Sequence, residues 1–150
     1  MHTKLTLTLA DAKAIAAAAE EYAEALQLKV SIAVVDESTY AQHVIRMDGA
    51  PYLSAEGAIE KARTAADAGF PTTFFEEPLN AGRYSMLKMP VYPIEGGIPV
   101  IVDGQCAGAI GVAGVLPELD ATIANAGLRA LDDSHTPRPP QPNRDVIAQG

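Results

Sequence analysis

Tryptophan is absent, and aromatic residues make up only 5% of the 150 residues. Much of the 48% hydrophobic content is alanine. A core of such small side chains packs its elements closely but buries little area per residue. Further burial between subunits would add to it, so a homo-oligomer is expected. Cysteine occurs once, at Cys106, which excludes an internal disulfide and fits a reducing, cytoplasmic setting. Histidine is scarce too: His2, His43 and His135 have no paired spacing, and no Cys-x-x-Cys-His occurs. Zinc and covalent heme are therefore not expected, and no metal site is assigned. Basic residues number 11 against 19 acidic ones, a net charge of −8. That balance repels phosphate backbones and anionic bilayers, so nucleic acid and membrane surfaces are excluded as partners. No apolar run approaches the roughly 18 residues of a membrane helix. Met1 to Thr6 lacks the apolar stretch of a secretory leader, and none is expected. Phosphate loops, dinucleotide fingerprints and Ser-His-Asp signatures are missing as well.

What is present centres on Tyr92 to Gly114. This stretch reads as strand, diglycine turn, strand, Asp-Gly turn, strand. Ile98 to Val102 is β-branched and continuous, as in a strand covered on both faces. Asp103-Gly104 predicts a hairpin, because a type I′ turn needs positive φ at both central residues. The last strand carries almost no side-chain bulk. Ala107, Ala109, Gly111 and Ala113 are expected on one face, with Gly108, Ile110 and Val112 on the other. So little bulk admits a packed helix, a second subunit or a ligand at close range.

The rest of the chain supplies covering elements. Thr8 with Asp11 forms a capping box opening a helix to about Gln27, with Ile15, Ala19, Tyr22 and Leu26 inward. Val30 to Asp36 and Tyr40 to Asp48 read as strands joined at Glu37-Ser38-Thr39. In the second, His43, Ile45 and Met47 share one face, and Gln42, Val44, Arg46 and Asp48 the other. Ser54 is expected to cap a helix from Ala55 to Ala68. Its wet face is Glu56, Glu60, Arg63 and Asp67. Lys61 stands about 100° away, among Gly57, Ala58, Thr64 and Ala65. It is either a contact-face cation or a lysine snorkelling from the helix flank. Thr72 to Met89 has one helical turn through Glu76, then an apolar loop holding Tyr84, Met86, Leu87 and Met89, suited to a lid or a subunit contact. Pro117 opens a last helix to about Leu131, with acids in its first turn. Residues 1–132 form one domain, and residues 133–150 a Pro-rich tail. The expected fold is α/β (α+β): a five-stranded antiparallel sheet flanked by helices, in the order α-β-β-α-β-β-β-α.

Several stretches resemble the GlcG/HbpS-like family, which also supplies the C-terminal domain of PduO-type adenosyltransferases. They are Leu7-Thr8-Leu9-Ala10-Asp11-Ala12, Val34-Val35-Asp36, Arg46-Met47-Asp48-Gly49-Ala50, Ala58 to Ala65, Gly96 to Val100 and Gly108 to Val112. The resemblance implies a profilin-like sandwich and a homo-oligomer. It also implies small-molecule binding, since some relatives bind heme or a corrinoid. Two stretches depart from the family pattern. Glu37-Ser38-Thr39 stands where relatives have a glycine pair, and Ala113-Gly114-Val115 where they have Ser-Gly-Ala.

Heme needs an axial ligand, and His43, mid-strand beside Ile45 and Met47, is the candidate. The alternative is an ordinary strand histidine. An enzyme without metal or organic cofactor needs an acid/base near a charge stabiliser. Glu95 is the acid/base candidate, with Lys61 or Arg46 as anion clamp and the amides of Gly96 and Gly97 as an oxyanion site. Asp48 and Tyr84 complete the candidate ligand-binding set. The bland alternative makes Gly96-Gly97 a mere turn and pairs Arg46 with Asp48 or Asp36. Two main readings follow. One is a small-molecule-binding protein with heme as candidate ligand at a subunit boundary. The other is a cofactor-independent isomerase, lyase or hydrolase acting on a small organic acid or aromatic metabolite. An accessory subunit that binds nothing small is the third.

Overall fold

The computed structural model describes residues 1–131; the tail expected at 133–150 lies outside them. In chain order the elements are α1 (Leu9–Ala25), β1 (Ser31–Asp36), β2 (Ala41–Arg46), α2 (Ser54–Ala68), α3 (Thr73–Asn80), a 3-10 helix (Tyr84–Lys88), β3 (Gly97–Val102), β4 (Gln105–Ala113) and α4 (Pro117–Leu128). The sheet is antiparallel with strand order β2-β1-β4-β3. The α+β plan of a sheet between helices holds.

Among the described residues it has four strands, not five. The expected strand at Tyr92 to Glu95 does not form, because its amides are engaged elsewhere. Tyr92 N donates to Thr64 Oγ1 of α2 at 2.9 Å, Ile94 N to Tyr92 O, and Glu95 N to Glu76 Oε2 of α3 at 3.1 Å. Pro93 has no N–H to offer. The loop expected after Thr72 instead forms α3 and the 3-10 helix. Pro78 sits within α3 rather than ending it. Ser54 is the first helical residue of α2, not its cap. Its hydroxyl donates back to Pro51 O and meets Ser31 Oγ of β1 at 2.8 Å.

Each sheet face has its own core. Ile32, Val34, Ile110 and Val112 pack with Ile15, Ala16 and Ala19 of α1 and Ile123, Ala124 and Leu128 of α4. Ala33, Val35, Ala109 and Ala113 pack with Ala58, Ala62 and Ala65 of α2. The β4 glycines explain the second layer. A Cβ on Gly111 would strike Ala58 O and lie 2.6 Å from Ala62 N, so α2 rests on the strand backbone itself. A bulge moves Ala107 from its expected face, because Val100 pairs with Gly108 and Ile101 with Cys106. Ala107 therefore joins the α1–α4 core.

The local turn chemistry follows the sequence. Thr8 and Asp11 make the reciprocal cap of α1. Asp103 and Gly104 have φ of 49° and 75°, as the type I′ turn requires. In the β1–β2 turn, Asp36 Oδ1 accepts from Ser38 N and Tyr40 N, both at 2.9 Å. There Thr39 adopts φ 74°, which disfavours a β-branched side chain by about 1–2 kcal/mol. Thr39→Gly is expected to gain about 1 kcal/mol, read as a rise of a few degrees in Tm. An unchanged or lower Tm would show that the turn tolerates Thr39 without strain.

Candidate functional site

The sequence candidates divide into one compact group and four residues that lie apart from it. Lys61, Glu95, Gly96 and Gly97 come together where α2 crosses the start of β3 and the end of β4. Lys61 is 3% exposed. Its Nζ donates to Asp120 Oδ2 of α4 at 2.9 Å and to Val112 O of β4 at 3.0 Å. The lysine is thus neither a snorkelling side chain nor a free anion clamp. It is half of a buried ion pair that ties α2, β4 and α4 together. Asp120 Oδ1 also accepts from Val115 N at 3.3 Å. Burial pushes the Asp120 carboxyl above its ordinary value, against the hydrogen bond and charge of Lys61 that pull it down.

The diglycine is shaped by this pair. A Cβ on Gly96 would lie 2.7 Å from Val112 O and 2.9 Å from Lys61 Nζ, and one on Gly97 would strike Lys61 O. The Gly97 amide donates to Thr72 Oγ1 at 3.0 Å, and Gly96 O accepts from Val112 N at 3.0 Å. The glycines therefore admit a buried lysine, and the Gly97 N–H is already bonded rather than aimed at an oxyanion.

Glu95 is half-buried beside the diglycine, within electrostatic reach of Lys61. Burial raises its carboxyl pKa above 4.5, with further upward pushes from Glu76, Glu118 and Glu77; Lys61 pulls the other way. A carboxyl raised in the fold favours its protonated form there. Its stabilising effect is full below the ordinary value and is lost as pH climbs through the folded value. Glu95→Gln is therefore expected to raise Tm at neutral pH. The gain should vanish as pH falls into the ordinary carboxylate range. Parallel thermal melts across that range check it, and a pH-independent difference would sink it.

Arg46, Asp48, His43 and Tyr84 lie elsewhere. Arg46 is at the end of edge strand β2, with β1 between it and β4. Its guanidinium stacks 5.2 Å over the Tyr52 ring, the partner it takes in place of Asp48 or Asp36. Asp48 is exposed in the turn that follows. His43 pairs with Val34 and so faces the α1 side of the sheet, opposite Lys61. Tyr84 is 73% exposed on the 3-10 helix. His135 lies outside the described residues. Cys106 is half-buried, with Sγ 3.3 Å from Gly108 O, and burial pushes its thiol up, as for an inert cysteine. Sequence reasoning missed Asp120, Thr72 and Tyr52. Asp120 looked like an ordinary first-turn acid, and its partner is 59 residues away.

Among the described residues, no group of three His, Cys, Asp or Glu side chains could hold a metal ion, and no helix is long and apolar enough to cross a membrane. One groove, of about 440 Å³, is lined by Leu5, Leu7, Ala14, Val102, Ala107 and Leu131, with Thr6, Asp11 and Ala130. Its lining offers no axial ligand for heme iron.

Comparison with known proteins adds a family and two kinds of relative. The family model described as "Haem degrading protein HbpS-like" matches residues 7–129. Protein GlcG of Escherichia coli K12 is 42% identical over 114 residues, covering 75% of this chain and 85% of GlcG. A crystal structure of a double mutant of Streptomyces reticuli HbpS superposes with a TM-score of 0.82 at 35% identity, covering 88% of this chain and 91% of that one. A crystal structure of a PduOC:heme complex superposes with a TM-score of 0.77 at 28% identity, covering 85% and 96%.

Proposed function

Since this chain belongs to the HbpS-like family, we propose that it is a small-molecule-binding protein with heme as its ligand, held near a boundary between subunits. The observation that carries this reading is the likeness of 85% of the chain to a domain crystallised with heme. His43 is the residue that would hold the heme iron. His43 is half-buried on β2, beside Ile45 on the α1 side of the sheet. It would do so through a ring nitrogen, with Ile45 beside it on the same face of the strand. Bound heme would supply redox and ligand-exchange chemistry. The chain's own part is to orient the ring and limit water on that side. β2 is an edge strand, so a second subunit would complete a site built on it. A role in a catabolic or cofactor-related process in the cytoplasm belongs to the same reading.

Hemin titration tests it. The wild type is expected to develop a Soret band at one equivalent per site, and His43→Ala to lose or shift it with its circular dichroism unchanged. No saturable band, or an identical one in His43→Ala, would remove His43 as the ligand. Native mass spectrometry of protein from its own host reads the co-purifying ligand directly.

A second reading, a cofactor-independent acid/base enzyme, draws on the raised Glu95 carboxyl. Lys61 is committed to Asp120 and Arg46 to Tyr52, so an organic-acid substrate would meet carboxylates there rather than a free cation. Turnover by apo protein that is lost in Glu95→Gln would favour this reading over the first.

A further inference from the structure

Residues 73–91 form an excursion pinned at both ends. Thr72, at the near end, exchanges bonds with Gly97: its N donates to Gly97 O, and Gly97 N donates to Thr72 Oγ1, both at 3.0 Å. At the far end Tyr92 N donates to Thr64 Oγ1 of α2 at 2.9 Å. Between these pins run α3 and the 3-10 helix. Of the other elements, α3 packs chiefly on that 3-10 helix. Phe75 is the one buried residue in the stretch. Among the described residues, one hydrogen bond ties the stretch to the rest of the protein: Glu95 N donates to Glu76 Oε2 at 3.1 Å.

That single bond sits among like charges. It sets the Glu76 carboxylate against a residue whose own carboxyl is half-buried. Glu77 acts on the same carboxyl from α3, and Glu118 from the first turn of α4. The cation within reach is Lys61 of α2, and it is bonded to Asp120 of α4. Burial first, then Glu76, Glu118 and Glu77, disfavour the ionised form of Glu95, while Lys61 acts the other way. Swinging α3 outward takes Glu76 and Glu77 away from Glu95 and admits water to it. The ionised carboxyl is therefore better accommodated with the stretch open, and the protonated one with it closed.

We propose that residues 73–91 are a flap, latched on the diglycine turn by the Glu76–Glu95 contact and released when the Glu95 carboxyl loses its proton. The sign follows from linkage. The closed flap binds that proton more tightly than the open one. Closure is favoured in the ordinary carboxylate range and below it, and opening grows as pH climbs through the closed-state value. Opening uncovers Glu95 and the approach to Gly96-Gly97, while the bonds at Thr72 and Tyr92 hold the two ends. Reburial of Phe75 opposes it, so the flap responds to pH by a shift of population between closed and open forms.

Hydrogen exchange of the full chain, read by mass spectrometry and corrected for the intrinsic pH dependence of amide exchange, tests this. At neutral pH the α3 amides are expected to exchange by local opening, far faster than those of β1 and β4. Their protection is expected to fall several-fold from the ordinary carboxyl value of 4.5 to neutral pH. Glu95→Gln is expected to keep it at the acid-side level throughout. Glu118→Gln removes one push without touching the latch, and is expected to give part of that gain. Glu76→Ala removes the acceptor and is expected to lower protection at acid pH, where the wild type is latched. Protection of α3 that does not change with pH, or that changes equally in Glu95→Gln, overturns the proposal. So do α3 amides as protected as those of β1 and β4 at neutral pH, or a Glu76→Ala flap as protected as the wild type. These readouts involve no heme, so they stand apart from the outcome of the hemin titration.

Discussion

Lys61→Met is expected to destabilise the protein by about 3–5 kcal/mol at neutral pH, while the double variant Lys61→Met/Asp120→Leu recovers most of that loss. The single change leaves the Asp120 carboxylate about 1% exposed, with only the Val115 amide beside it and no cation. A buried charge without its partner is far costlier than the pair is beneficial. Replacing both partners with apolar groups of similar size is often neutral. The pH dependence has a definite sign. In Lys61→Met the downward pull on Asp120 is gone, so its folded value, already above 3.8, rises further. The folded variant then holds its proton more tightly than the unfolded chain. The penalty is small near the ordinary carboxylate value and grows as pH rises through the folded one. Urea denaturation of the wild type and both variants across acid to neutral pH measures this. A single variant within about 1 kcal/mol of wild type at neutral pH would show that Asp120 finds another partner or water.

The second large effect is expected at Gly111. Gly111→Ala should cost about 3 kcal/mol or more, because the new methyl meets the backbone of α2 rather than a movable side chain. Its neighbours would be Ala58 O and Ala62 N, and the only relief is to lift the helix off β4. Lifting α2 would also strain the Lys61 contacts to Val112 and Asp120. Gly69→Ala is the control. That residue has φ 69° with nothing within 4 Å of a new Cβ, so it should cost only the backbone preference of about 1 kcal/mol. Equal losses at the two positions would mean that close packing of α2 is not what Gly111 serves.

Both expectations rest on features that were partly legible in the sequence. The side-chain-poor strand announced that something approaches it closely; which of helix, subunit or ligand does so depended on where α2 lands. The capping box at Thr8 and Asp11 and the turn at Asp103-Gly104 are local, so spacing alone located them. The missing fifth strand was not local. Tyr92 to Glu95 has strand-like composition, but its amides bond to Thr64 and Glu76, 28 and 19 residues away. The same distance hid the site's central pair. Lys61 stood out as a cation among small residues, but nothing near it pointed to Asp120. Diglycine chemistry misled for a related reason. A turn and a close approach to a buried amine demand the same residue, and only the position of Lys61 separates them.

The strand order has a consequence for how the chain reaches this structure. The β1–β2 and β3–β4 hairpins are each local, but the middle of the sheet joins β1 to β4, from Ser31 with Ala113 to Asp36 with Gly108. Closing that seam brings together segments separated by most of the domain, a topology that folds slowly. On the ribosome, β1 emerges with Ile32, Val34 and Val35 ready to pair while β4 and α4 are still unmade. One long edge of the first hairpin therefore stays open throughout synthesis of the second half, when it is most exposed to wrong pairing. Refolding yield should accordingly depend on chain concentration even where the finished protein is stable.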